Sequence, residues 1–286
     1  MNIDGFALVI GAGSGIGKEC AIAFAKEGSA GVLVADVNLD AAREVAELCR
    51  AATSNTGGFV VEALAVDVTS EESVSRMVRR AVQTFEPVDY CVNSAGVNAT
   101  PPTASQTVGI EVALEVAEAS AADFSRFMDV NVTGSFRVTQ HISALMKAQE
   151  PRQIYPSSPV RGTTRGSIVL MGSAASFGAQ PRMVQYTTSK HAVLGLARNA
   201  ALDNAKYGIR VNCLCPSWVN TLMVQRAIDQ VPGLGDAIKT AVPMGRVALT
   251  EEVADAVLFL CSPRSSYMTG SALVIDGGTM LSPLSA

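Results

Sequence analysis

Short apolar runs that end in Gly, Asp, Asn or Ser alternate along this chain with longer stretches of helical period. The runs fall at Phe6 to Ile10, Val32 to Ala35, Val60 to Val66, Tyr90 to Val92, Ser167 to Met171, Arg210 to Leu214 and Ala272 to Ile275. Near-continuous apolar strands separated by helices predict a parallel sheet buried on both faces. Seven such runs predict an α/β, doubly wound fold with a seven-stranded parallel sheet and helices on both faces. Right-handed crossovers then bring the C-terminal ends of the strands to one edge, where ligands bind in such sheets.

Two connections are longer than a compact βα unit needs. The first, about Val97 to Ala122, follows a strand's C-terminal end and so belongs to the ligand edge. Its Pro101-Pro102 start and the Ile110 to Ala119 segment predict a loop followed by a short helix. The second, Pro151 to Gly166, is rich in Pro, Ser, Arg and Thr and leads into a strand, which places it on the opposite edge as a solvated surface loop.

A chain of 286 residues buries roughly 75% of its unfolded surface, enough for one large core. No linker divides it, so a single domain over residues 1–286 is expected. Apolar residues at 48% and charged residues at 17% argue against disorder, and a net charge of -4 offers no basic footprint for nucleic acid. The start of the chain carries no signal-like segment, and no apolar stretch is long enough to span a bilayer. A cytoplasmic protein with neither nucleic-acid nor membrane partners is expected. Cys20, Cys49, Cys91, Cys213, Cys215 and Cys261 are scattered through apolar segments and read as reduced thiols. Cys213 and Cys215 lack the further ligands that zinc needs and read as strand residues, so no metal is expected. His141 and His191 read as helix surface or packing residues.

Ile10-Gly11-Ala12-Gly13-Ser14-Gly15-Ile16-Gly17 joins the first strand to a helical run. Glycines let the chain turn sharply and let its N–H groups approach a pyrophosphate at the helix N-terminus, where the macrodipole favours negative charge. Gly11, Ser14, Gly15, Ile16 and Gly17 are therefore a candidate dinucleotide seat, and the predicted fold is of the Rossmann type. Asp36 ends the second strand nineteen residues after Gly17. It is placed to accept both ribose hydroxyls of an adenosine and to repel a 2′-phosphate, which favours NAD over NADP. Its other reading is a helix cap, a role open to Asn38 as well. Asp67-Val68 ends the third strand, where Asp67 either borders the adenine or caps the next helix. Asn93-Ser94-Ala95-Gly96 ends the fourth; Asn93, Ala95 and Gly96 either admit a ligand or tie strands together.

Tyr186 and Lys190, four apart in a helical segment, share one face. A phenol with an ordinary pKa of about 10 is a poor base at neutral pH, whereas a neighbouring ammonium and an oxidised nicotinamide both favour its phenolate. Ser173, thirteen positions upstream at a strand end, is placed to orient the substrate oxygen, or simply to cap a helix. Order and context, rather than any one match, carry the reading.

These residues, from Phe6 to about Thr279, resemble the short-chain dehydrogenase/reductase family in its shorter, single-domain branch. The resemblance rests on Gly11, Gly15, Gly17, Asp36, Asp67, Val68, the Asn93 to Gly96 tetrapeptide, Asn131 in Val130-Asn131-Val132-Thr133-Gly134, Ser173, Tyr186, Lys190 and Asp276-Gly277-Gly278. It implies that Asn131, Ser173, Tyr186 and Lys190 form the catalytic set, with Asn131 and Lys190 on a water-linked proton path. It also implies that Lys190 grips the nicotinamide ribose, that Thr221 and the Val219 backbone meet the carboxamide, and that the chain pairs into a homodimer or homotetramer through helices spanning about Phe124 to Lys147 and Tyr186 to Tyr207. Ile10, Ser94 and Ser217 depart from common family choices without removing a proton-transfer group. The two long connections resemble those of fungal members that tailor secondary metabolites.

The expected activity is NAD-dependent interconversion of a secondary alcohol and a ketone on a small, largely apolar substrate. Ala174, Ala175, Gln180, Met183 and Trp218 are expected to contact it. Residues 222–245, with Met223, Pro232, Gly233, Gly235 and Met244, read as a mobile lid or as plain surface helix and loop. An NADP-dependent ketoreductase and a non-redox NAD-binding scaffold are the alternatives.

Overall fold

Each of the seven apolar runs forms a strand: β1 (Phe6–Ile10), β2 (Gly31–Asp36), β3 (Val60–Ala65), β4 (Val88–Asn93), β7 (Gly166–Met171), β8 (Ile209–Pro216) and β9 (Ala272–Ile275), with a small pair, β5 (Arg152–Gln153) and β6 (Thr163–Thr164), between the fourth and fifth. The computed structural model describes residues 1, 3–55, 57–97, 115–179, 181–230 and 232–281, without the side chains at 223, 226, 227 and 230. The expectations for Gln180, for the Met223 side chain and for the loop and helix start within 98–114 lie outside the described residues.

The seven strands pair in the order β3-β2-β1-β4-β7-β8-β9, and every pairing is parallel. Alternation along β1 divides the core in two. Ala7 and Val9 pack with α1 (Gly15–Lys26), α2 (Leu39–Ala52) and α9 (Thr250–Cys261) on one face, where Phe24 stacks on Tyr90. Leu8 and Ile10 pack with α3 (Glu71–Thr84), α5 (Ser135–Ala148) and α6 (Val184–Ala205) on the other. Side chains such as Phe24, Leu8, Ile168 and Leu170 are fully buried, each contributing about 1.5–3 kcal/mol by leaving water. No helix among the described residues is long and apolar enough to cross a membrane.

Three local features depart from the sequence expectation. The helix expected from about Phe124 to Lys147 is instead α4 (Ala121–Phe127), a π-helical segment Met128–Gly134, and then α5. One extra residue per turn swings Asn131 inward, a local rearrangement frequent at functional sites. The 151–166 connection lies on the edge expected, yet it is an antiparallel hairpin rather than a bare loop. Arg152 bonds the buried Asp89 at 2.8 Å and Arg161 reaches Ser266 Oγ at 2.6 Å, so its arginines anchor it. Residues 222–245 contain two short helices, α7 (Leu222–Gln230) and α8 (Leu234–Ala241).

Candidate active site

The β1–α1 turn has the shape its glycines predict. Gly11 and Gly15 have φ of 74° and 53°, and a Cβ on Gly17 would fall 2.1 Å from the Gly11 carbonyl oxygen. Ser14 stands at the N-cap of α1 in extended conformation, exposed, with its hydroxyl uncommitted to a cap bond. The first N–H groups of a twelve-residue helix and a free hydroxyl thus face one opening, which suits an anion. Ile16 packs against the core and fixes the turn to the sheet. Across the cleft, the Thr221 methyl lies 3.5 Å from where a Gly15 Cβ would be. The Thr221 segment is held by Val219, which is buried and bridges to Ala248.

Asp36 sits over this turn. Its Oδ2 accepts the Gly13 N–H at 2.8 Å and its Oδ1 accepts the Asn38 N–H at 2.9 Å. Close approach requires glycine at 13, where a Cβ would lie 2.8 Å from the Asp36 carboxyl carbon. Asn38 caps α2 by accepting from Asp40 and Ala41, so the cap does not occupy Asp36. Asp67 is likewise not the cap of α3, because Ser70 is. Asp67 Oδ1 accepts from the Thr69 N–H and hydroxyl, leaving Oδ2 to face outward. Val68 is buried against Gly134, so only its backbone is open to a ligand.

At the end of β4, Asn93 spends its side chain internally: Nδ2 donates to Ser135 Oγ at 3.0 Å and Oδ1 accepts from the Ala95 N–H at 3.3 Å. Its role here is to tie β4 to α5. Ala95 approaches Gly11 backbone to backbone, and Gly96 is where three elements meet. A Cβ on Gly96 would lie 3.1 Å from Asn131 Oδ1 and 3.8 Å from Lys190 Nζ.

Lys190 is 7% exposed. Its ammonium stands 5.5 Å from the Tyr186 ring centroid and donates to the Met171 carbonyl at 2.9 Å. An ammonium has three protons to donate, and the Met171 bond is the contact it makes among the described residues. Two donors of a buried cation are therefore without a described partner. The half-buried Tyr186 makes no hydroxyl hydrogen bond to a described residue. Ser173, separated from the end of β7 by Gly172 alone, caps the 3₁₀ turn Ala174–Ser176 by accepting the Ala175 N–H at 3.1 Å. The capping reading is thus met, and the Ser173 hydroxyl proton stays free to donate outward. Asn131 is placed beside them with its side chain committed. Its Oδ1 accepts the Val97 N–H at 2.8 Å, and its Nδ2 donates to the Val97 carbonyl at 2.9 Å and Ser189 Oγ at 3.0 Å. The side chain is a strut, leaving only its backbone carbonyl for a proton path.

A family model described as enoyl-(acyl carrier protein) reductase matches residues 11–280. Short-chain dehydrogenase RED2 of Pyricularia oryzae is 54% identical over 285 residues, covering 98% of each chain. The chain belongs to the short-chain dehydrogenases/reductases, a family of oxidoreductases. Among solved structures, a 7α-hydroxysteroid dehydrogenase complexed with NADH and 7-oxo glycochenodeoxycholic acid superposes with a TM-score of 0.78 at 30% identity, covering 96% of this chain and 94% of its own. ElxO with NADP bound reaches 0.79 at 25% identity, covering 98% of this chain and 100% of its own. The two neighbours carry different nicotinamide cofactors.

In this short-chain dehydrogenase/reductase the cradle fits a dinucleotide: an open helix N-terminus, a Cβ-free turn under Asp36 and unspent donors on Lys190 converge on one cleft. Sequence reasoning missed Ser176 and Ser189. Ser176 Oγ donates to the Lys190 carbonyl at 2.8 Å and accepts the Ser173 N–H at 3.2 Å. Ser189 Oγ donates to the Tyr186 carbonyl at 2.8 Å and supports Asn131. Ser189 was findable, since it immediately precedes the lysine on a buried helix. Ser176 resembles any turn serine and carried no signal.

Proposed function

We propose that this chain is an NAD-dependent dehydrogenase that interconverts a secondary alcohol and a ketone on a small, largely apolar substrate. The observation that carries this reading is the buried Lys190 ammonium, with two unspent donors, beside a Tyr186 hydroxyl that has no described partner. Tyr186 takes the alcohol proton during oxidation and returns it during reduction. Lys190 stands beside the Tyr186 ring and holds the ribose next to it. The Ser173 hydroxyl donates to the substrate oxygen and sets its distance from Tyr186. Asn131 fixes Val97 and offers its backbone carbonyl to the water-linked path. Bound nicotinamide supplies the hydride acceptor.

The cofactor would lie on Gly11, Ser14, Gly15, Ile16 and Gly17, with Asp36 at the adenosine ribose. Asp67, the Val68 backbone, Ala95 and Gly96 would line the adenine and middle portion, and Val219 and Thr221 would meet the carboxamide. NAD is favoured because Asp36 faces the place a 2′-phosphate would take and no cation is paired with it among the described residues. The hydroxysteroid dehydrogenase with NADH and 7-oxo glycochenodeoxycholic acid is one neighbour compatible with this reading, while ElxO holds NADP. Exposed Phe177, Leu222 and Met244 suit a largely apolar substrate beneath a lid over residues 222–245. The unit is taken to act as one domain over 1–286, as a homodimer or homotetramer, with exposed Phe136 on α5 and Leu202 on α6 as the apolar surface. The test is NADH absorbance when purified protein meets NAD and a panel of cyclic, terpenoid and polyketide-like secondary alcohols. Growth of the signal that disappears in Tyr186→Phe supports the reading; silence across the panel with folded protein opposes it.

A further inference from the structure

Beneath the Ser173 turn lie two thiols that the proposed reaction does not use. Cys213 and Cys215 alternate along β8, so their side chains leave the same face of the strand. Both are fully buried, and their sulfurs are 3.7 Å apart. They press on Gly172: a Cβ there would lie 2.6 Å from Cys213 Sγ and 2.8 Å from Cys215 Sγ. The Gly172 N–H is fixed to the Leu214 carbonyl at 2.8 Å. The neighbours of Gly172 are Met171, whose carbonyl holds Lys190 Nζ, and Ser173 itself. The Ser173 N–H and the Ser176 hydroxyl both face Cys215. The charge that reaches the pair among the described residues is the Lys190 ammonium.

We propose that Cys215, backed by Cys213, is a positioning residue for the reaction: the two sulfurs are the bed of the Met171–Ser176 turn and, through it, set Ser173 and Lys190 together. A thiol suits this place because it fills space as a small hydrophobe and still offers a weak donor and acceptor to the Ser173 N–H and Ser176 hydroxyl. Removing it opens a void beside those groups, whose bonds to each other and to the Lys190 carbonyl remain, and lets Gly172 settle toward the strand. The turn is stitched to α6 at two points, Lys190 Nζ to Met171 and Ser176 Oγ to the Lys190 carbonyl, so a shift at Gly172 changes how the hydroxyl and the ammonium meet the substrate. The catalytic consequence rests on the dehydrogenase reading above; the support of the turn does not.

The experiment compares wild type, Cys215→Ala and Cys215→Ser by steady-state kinetics and by amide hydrogen exchange read on fragments. In Cys215→Ala, kcat is expected to fall about tenfold through lost orientation, with a smaller rise in the KM for NAD, because Lys190 shifts while the β1–α1 turn does not touch the thiols. Amides of 172–177 are expected to exchange about tenfold faster, and those of 11–17 at the wild-type rate. Cys215→Ser restores most of both. Unchanged exchange in 172–177, or a raised KM for NAD with unchanged kcat, overturns the proposal. Wild type that oxidises no alcohol refutes the dehydrogenase reading, while the exchange data still decide whether the sulfur supports the turn. If Cys215→Ala does not fold, Cys213→Ala carries the same test with a smaller change in the same direction.

Discussion

If the proposed NAD preference holds, replacing Asp36 with alanine is expected to remove most of the discrimination between NADH and NADPH. The carboxylate is fixed across the turn by the Gly13 N–H at 2.8 Å and the Asn38 N–H at 2.9 Å. It therefore cannot swing away from a 2′-phosphate without giving up both bonds. Two like charges near 4 Å repel by about 4 kcal/mol at an effective dielectric of about 20. Asp36 is half-buried, so solvent and salt reduce this to about 2 kcal/mol. A ribose hydroxyl bonded to the carboxylate adds about 1.5–3 kcal/mol for NADH alone. The total, about 4 kcal/mol, is a shift of about 10³ in the ratio of dissociation constants. The Gly13 N–H left without its acceptor weakens both cofactors alike and drops out of that ratio. Calorimetric titration of NADH and NADPH into both proteins, at low and high salt, measures it, and the repulsive part shrinks as salt rises. A ratio that moves by less than about tenfold, or a wild type that binds NADPH more tightly, would refute the argument.

Tyr186→Phe should lower kcat by about 10³, the scale of a lost general acid–base group, while NADH binding by fluorescence stays near wild type because the hydroxyl has no described protein partner. Asn131→Ala strands the Val97 N–H and carbonyl, both bonded in the native protein, and a loss of about 2–4 kcal/mol in urea unfolding is expected; an unchanged midpoint would mean that the strut carries no load. Glu252 is held down to about 2 by the Arg246 guanidinium fork and the Leu249 N–H. Its folded value lies below the ordinary 4.5, so its stabilisation is present above that value and is lost as pH falls toward about 2. The pair is exposed, so solvent screening keeps its contribution small. The gap in urea midpoint between wild type and Glu252→Gln should thus be open near neutral pH and close in acid, and a gap independent of pH would contradict this linkage.

The strand positions were legible because a parallel sheet buried on both faces writes uninterrupted apolar runs, as in Ile168-Val169-Leu170, and the β1–α1 turn because glycine spacing has few other uses. The ambiguity between cap and ligand at Asp36 and Asp67 was not resolvable along the chain, since Asn38 and Ser70 qualify equally by type; only the folded backbone assigns the caps to them. The posture of Asn131 was hidden for another reason. A π-helical segment leaves the hydrophobic period almost unaltered over a few residues, so Met128–Gly134 reads as one more helical turn. Cys213 and Cys215 were read correctly as strand residues, but their relation to Gly172 joins β8 to the end of β7, and no local pattern records it.

The bridge between Val219 and Ala248 has a use for redesign. The Asn220 N–H donates to the Ala248 carbonyl at 2.7 Å, and the Ala248 N–H donates to the Trp218 carbonyl at 2.9 Å. The chain therefore leaves the sheet edge after Thr221 and returns at Ala248 with its two roots already side by side. Closure of the intervening segment is set by these bonds at its roots together with the Met244 N–H to the Gly277 carbonyl at 3.2 Å, and each doubling of its length adds only about 0.6 kcal/mol of closure entropy. Residues 222–245, the proposed lid, are in effect a replaceable cassette: segments of other lengths and polarities can be grafted between fixed posts, while the β1–α1 turn, Asp36 and Lys190 keep their places.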